Sequence, residues 1–202
     1  MNNFLVVFSS FIFLYSCSDS NSIDINIPDT SEVESLIEHS QEFEKKILSY
    51  ETPGGTIHFA IGFGIANSIM VEGENGNIII DAADSVYEAE QIYALFSEKN
   101  NNPIKAIIYT HNHGDHTFGA AYYVQSQIEK PQIIAHEDTD YYVQRIMGIL
   151  NPIITSRSTK MFGTSLPEED VINVGIGPSL NVSKSPTGYV KPDTTFSDSL
   201  KL

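Results

Sequence analysis

Four side chains able to bind metal fall within six consecutive positions. They are His111, His113, Asp115 and His116, in the run Thr110-His111-Asn112-His113-Gly114-Asp115-His116. Imidazole and carboxylate both bind zinc, at ~2.0–2.2 Å. His111 and His113 are two apart, so in extended backbone they face the same side and can reach one metal. Gly114 permits a sharp turn that a Cβ would hinder. Asp115 and His116 then point in a new direction, which suits a second metal. Two metals ~3.5–4 Å apart can share a water and lower its pKa towards neutrality. The chemistry implied is hydrolysis by a metal-activated water. Zinc fits the donors best, and iron and manganese are compatible with them.

Other residues bear on this cluster. The single cysteine, Cys17, allows no Cys-rich zinc ribbon, so the donors must be His, Asp and Glu. Asp81 closes the apolar run Asn77–Ile80. It can be an outer carboxylate that orients the metal loop, or the start of the next turn, which Asp favours anyway. His136 ends a strand-like run and reads as a surface or packed histidine, and His58 reads as structural. Tyr141, Tyr142, Ile146 and Ile149 have the spacing of a core stripe.

The elements that must position these residues follow from the patterning. Thr56–Ile61 alternates apolar and polar. Asn67–Glu72 and Asn77–Asp81 are short apolar runs joined through Gly73-Glu74-Asn75-Gly76, a hairpin signal. Ser85-Val86-Tyr87-Glu88 is a capping box. Behind it, Val86, Ala89, Ile92, Tyr93 and Phe96 predict a helix to about Lys99. Ile104–Tyr109 is a buried strand that delivers the histidine cluster to a strand-to-helix loop. Such loops are where ligands are usually placed. Ala120, Ala121, Val124 and Ile128 continue with helical period to Pro131. Gln132–Ala135 is a strand and Thr139–Leu150 a helix, and Asn151–Asp170 reads as irregular. Ser31–Ser49 is predicted to be a helix laid on the domain. Strand–helix alternation of this kind implies an α/β fold.

Composition limits the partners. The 202 residues carry a net charge of -15, and the sequence pI is about 4.6. A surface this acidic repels nucleic acid and argues against a polybasic membrane patch. The chain lacks a Gly-rich phosphate loop ending in Lys-Ser/Thr and a G-x-S-x-G elbow.

Residues Phe4–Tyr15 are almost wholly apolar, too short to span a bilayer but the length of a signal-peptide core. The run ends Leu14-Tyr15-Ser16-Cys17, which resembles a bacterial lipobox. The expectation is a leader over 1–17, lipidation at Cys17, a tether and helix over 18–49, and a folded domain over 50–202. The protein would be an exported, membrane-anchored lipoprotein of a bacterium.

The run Thr110–His116 matches the T-H-x-H-x-D-H motif of the metallo-β-lactamase superfamily. The flanks resemble its alkylsulfatase branch: Gly62–Gly73, Ile78-Ile79-Ile80-Asp81, Ile107-Ile108-Tyr109, Gly175–Pro178 and Thr187–Tyr189. The similarity extends over about residues 43 to 202. It implies a metallo-β-lactamase-type αβ/βα sandwich, of which this would be the N-terminal portion. It implies two zinc ions, one on His111 and His113 and the other on Asp115 and His116, with Asp115 as catalytic carboxylate. It implies hydrolysis of a small-molecule alkyl sulfate ester, and Asp81 matches the family's strand-end acid. Two further glutamates and a histidine of the family pattern have no match beyond Glu168 and Glu169. A truncated member is therefore expected, with incomplete zinc occupancy, completed by a second copy or a C-terminal portion. A catalytically inactive remnant and another hydrolase of the superfamily, a lactonase or thioesterase, are the alternatives.

Overall fold

The computed structural model describes residues 30–167, 170–178 and 187–201, with side chains from residue 34 onward. The expected leader, Cys17 and most of the tether lie outside the described residues, as do Glu168 and Glu169. No helix among the described residues is long and apolar enough to cross a membrane.

Seven strands form one sheet in sequential order: β1 Lys46–Thr52, β2 Gly55–Ile61, β3 Ser68–Gly73, β4 Gly76–Ile80, β5 Ile104–Ile108, β6 Gln132–His136 and β7 Thr194–Phe196. The first four form an antiparallel meander, and β4 to β7 run parallel. The hairpin expected through Gly73-Glu74-Asn75-Gly76 joins β3 to β4, with Gly73 opposite Gly76. Parallel neighbours need long crossovers. These are α2 Val86–Lys99 between β4 and β5, and α3 Gly114–Thr117 with α4 Ala120–Gln125 between β5 and β6. The segment between β6 and β7 contains α5 Thr139–Met147 and α6 Asn151–Phe162.

Register sorts the side chains onto two faces. His58, Met70, Ile79, Ile107 and Ile133 stand opposite one another in one row across five strands. All five are buried. The four apolar ones belong with or adjoin Ala89, Ile92 and Phe96 of α2 and Ala120 and Tyr123 of α4 in a single core. The next row, Leu48, Phe59, Ile69, Ile80, Ile108 and Ile134, faces the other way. All but Ile134 are only half-buried.

The α/β layering, the hairpin and α2 appear as the sequence implied. Four expectations are corrected. The N-terminal helix α1 covers Thr30–Ser40, with a 3-10 turn at Gln41–Phe43, and residues 46–49 belong to strand β1. β1 pairs with β2 across Pro53-Gly54, with Thr52 opposite Gly55; Ile47 and Leu48 therefore serve a strand rather than a helix. Residues 151–162, expected to be irregular, form α6, where Pro152 opens the helix. Proline suits a helix's first turn, because its missing N–H has no partner there anyway. Tyr141, Tyr142 and Ile149 are exposed and Ile146 is half-buried, so α5 buries only Thr139 and Val143. Finally, α4 stops at Gln125 and leaves Ile128 on the surface.

Candidate metal centre

The site lies past the carboxyl ends of the parallel strands β4 and β5, where open α/β sheets place their ligands. Asp81 follows β4 directly, and its N–H donates to Ile108 O at 2.9 Å, extending the ladder by one bond. The chain then turns through the left-handed region, with φ of 60° at Asp81 and 70° at Ala83. Such conformations at non-glycine residues cost about 1–3 kcal/mol each and persist only when the surroundings enforce them. The surroundings here are specific. Ser68 Oγ donates to Asp81 O at 2.6 Å, Ala82 N to His116 O at 2.8 Å and Gly119 N to Ala83 O at 3.1 Å. The strained turn and the histidine loop thus hold one another by backbone bonds.

The loop itself is anchored on the buried Asp81 carboxylate. Thr110 N–H donates to Asp81 Oδ1 at 2.8 Å. The Thr110 hydroxyl lies 2.8 Å from Oδ2 and 3.1 Å from Oδ1. His116 Nδ1 lies 2.7 Å from Oδ2. Asp81 thus does two things at once: its backbone opens the turn after β4, and its carboxylate takes the bonds from Thr110 and His116. His113 is extended and caps α3, whose first turn presents Asp115 and His116. Gly114 is needed for a different reason from the one its position implied. Its φ is not positive; a Cβ there would come within 2.5 Å of the Phe118 ring.

Three imidazoles converge as a result. The His111 ring centroid is 4.6 Å from that of His113 and 4.0 Å from that of His116. Asp115 Oδ2 lies 3.2 Å from His116 Nε2. The electrostatics follow from this crowding. Burial opposes charge on His116, but the hydrogen bonds to Asp115 and Asp81 outweigh it and raise its pKa to about 9. Asp115 is held below the usual carboxylate range, because the bond and charge of His116 overcome its desolvation. Burial lowers the pKa of His111, and the neighbouring His116 and His113 lower it further.

A metal ion would need these side chains to rearrange. As they stand, no group of three or more His, Cys, Asp or Glu among the described residues could hold a metal ion. Asp115 and His116 are turned towards each other, so a metal would have to separate them. The donor chemistry does fit: three clustered imidazoles and one carboxylate match zinc, and the Asp81–His116 pair is the carboxylate–histidine arrangement that supports zinc ligands.

The remaining histidines are elsewhere. His58 is buried between Ser49 Oγ at 2.7 Å and Glu72 Oε1 at 2.9 Å, a cross-strand network consistent with a structural role. His136 bonds Ser197 O, and His39 bonds Gly175 O. The Thr187–Tyr189 stretch, which the sequence marked only by family resemblance, also shapes the site. Gly188 N donates to Phe118 O and Ala121 N donates to Gly188 O, both at 2.7 Å, pinning the α3–α4 junction from 70 residues downstream. No local pattern encodes that contact.

Comparison with known proteins places this geometry. The model of the metallo-β-lactamase superfamily matches residues 61–186. A linear primary-alkylsulfatase from Pseudomonas sp. (strain ATCC 19151) is 36% identical over 136 residues, covering 65% of this chain and 25% of that protein. The 2,4-dinitroanisole O-demethylase subunit alpha of Nocardioides sp. (strain JS1661) is 38% identical over 84 residues, 41% of this chain and 24% of that one. Among solved structures, a stereoselective inverting sec-alkylsulfatase from Pseudomonas sp. superposes with a TM-score of 0.61. The sequence identity is 18%, over 81% of this chain and 26% of that one; at that identity the likeness concerns the fold. The chain spans about a quarter of the length of these relatives.

Proposed function

Because the chain belongs to the metallo-β-lactamase superfamily, we propose that it performs the metal-dependent part of a hydrolysis, with a sulfuric ester of an alkyl chain as substrate. The observation that supports this most is the convergence of His111, His113, Asp115 and His116 on a loop anchored by Asp81. The sequence similarity to a linear primary-alkylsulfatase supports the substrate class. His111, His113 and His116 would hold zinc through ring nitrogens and Asp115 through its carboxylate. When bound, zinc lowers the pKa of a water towards neutrality and so supplies the nucleophile. The chain's own part is positional. Asp81 holds His116 by Nδ1 and leaves Nε2 facing the shared space. Asp115 is ionised across the physiological range and is available as a ligand and to steer a proton.

A second reading, metal binding without turnover, is favoured by one contact. Asp115 and His116 bond each other at 3.2 Å, so a metal must displace an ion pair before the centre forms. One experiment separates the two. The purified full chain is loaded with zinc, its metal content measured, and sulfate release from dodecyl sulfate followed. Bound zinc with sulfate release supports hydrolysis, and bound zinc without release supports the second reading. Less than one zinc per chain, unchanged in His113→Ala and Asp115→Ala variants, would remove both.

The same proposal extends to location: export and lipidation at Cys17, supported by the apolar run and lipobox-like sequence. Radiolabelled palmitate should enter the protein and not a Cys17→Ala variant.

A further inference from the structure

The protons around Thr110 can be assigned in only one way. The Asp81 carboxylate accepts hydrogen bonds and cannot donate them. It faces the Thr110 N–H at 2.8 Å and the Thr110 hydroxyl at 2.8 and 3.1 Å. The hydroxyl has a single proton. Aiming that proton elsewhere would set its lone pairs against both carboxylate oxygens. With the proton given to Asp81, Thr110 Oγ1 can only accept from its other neighbour, His111 Nδ1, at 3.0 Å. His111 Nδ1 therefore carries a proton, and in the neutral ring Nε2 is left with the lone pair. His116 Nδ1, 2.7 Å from Asp81 Oδ2, carries a proton for the same reason.

We infer that Thr110 is the positioning residue of the centre, one hydroxyl setting which nitrogen each of two imidazoles offers. It acts on His111 directly. It acts on His116 by holding the Asp81 carboxylate through both its amide and its hydroxyl. Imidazole ligands depend on such outer partners for tautomer and orientation, and losing one typically costs about 10–100-fold in metal affinity. The backbone amide contact survives any side-chain change, so the hydroxyl's share can be isolated. Thr110 is itself exposed, which favours folding of its variants.

The consequence for metal rests on His111 and His116 being ligands, whereas the tautomer belongs to the metal-free chain. The test therefore has two arms. Nitrogen-15 NMR of the ring nitrogens in the metal-free full chain should show His111 protonated at Nδ1 in wild type and in Thr110→Ser. Thr110→Val, or Thr110→Ala should the valine variant fold poorly, should give a mixture of tautomers. Competition titration with zinc should show a loss of about 10–100-fold in the valine variant and recovery in the serine variant. An unchanged His111 tautomer in the hydroxyl-free variants overturns the inference, whatever the affinity does. So does a serine variant that fails to recover. If wild type binds no zinc, the proposed function falls, and the NMR arm still decides the role of Thr110.

Discussion

His116 stands between two carboxylates, Asp81 at 2.7 Å and Asp115 at 3.2 Å, and this sets how the metal-free protein responds to pH. Its folded pKa is raised from 6.5 to about 9, so the folded chain holds a proton that the unfolded chain releases. That contribution to stability is complete below pH 6.5 and is lost as pH rises through about 9. His111 acts in the opposite sense: its pKa is lowered, so its protonation below the ordinary value of 6.5 opposes folding. Urea unfolding of the metal-free chain should therefore show stability falling between these two pH values, and His116→Gln should flatten the fall. A wild-type profile with no decline over that range would contradict the charged His116 cluster. The histidine and aspartate identities were legible from spacing alone. Their shared dependence on Asp81, 29 positions before Thr110, was one of two readings that an acid at a strand end allows.

At the level of elements, the centre depends on two turns that lock each other. The Asp81–Asp84 turn and the loop from His111 to Gly119 exchange backbone bonds at Ala82–His116 and Ala83–Gly119. Gly119 is packed so tightly that a Cβ would lie 2.0 Å from Ala82 O. Gly119→Ala should destabilise the chain by about 1–3 kcal/mol, the usual range for overpacking, and should weaken metal binding with it. Measured stability within error of wild type would show that the contact relaxes freely. The start of α2 gives a milder case. Ser85 accepts from Glu88 N at 3.2 Å, as a capping box requires, and the Glu88 carboxylate accepts from Asp84 N at 3.3 Å. Ser85→Ala should cost about 1 kcal/mol in thermal or urea unfolding. The cap and helix could be read locally because their interactions span four residues. β1 could not, because Ile47 and Leu48 fit helical spacing with Phe43 as well as a strand. Pairing with β2 decided between them.

Across the whole molecule, the sheet has one face packed under α2 and α4 and one face apolar but half-covered. Met70 and Val71 are neighbours on β3 that point to opposite faces, with 2% exposure at Met70 and half-burial at Val71. Met70→Lys should unfold the chain, since an unpaired charge cannot be buried in an apolar core. Val71→Lys, or Ile57→Lys opposite it, should cost less than about 1 kcal/mol and should reduce self-association measured by light scattering, because it interrupts an exposed apolar surface. Equal damage from Met70→Lys and Val71→Lys would show that the second face is as tightly packed as the first. The sequence by itself determined the donor types, their order on a strand-to-helix loop, the β3–β4 hairpin and α2. Each of these is an interaction between residues close in the chain, so composition and period carry it. Only the tertiary structure decided that Asp81 and Thr110 hold the imidazoles, that Gly188 pins the loop, and that residues 46–52 extend the sheet. These contacts join segments far apart in sequence, and they exist only once the parallel strands have brought their carboxyl ends together.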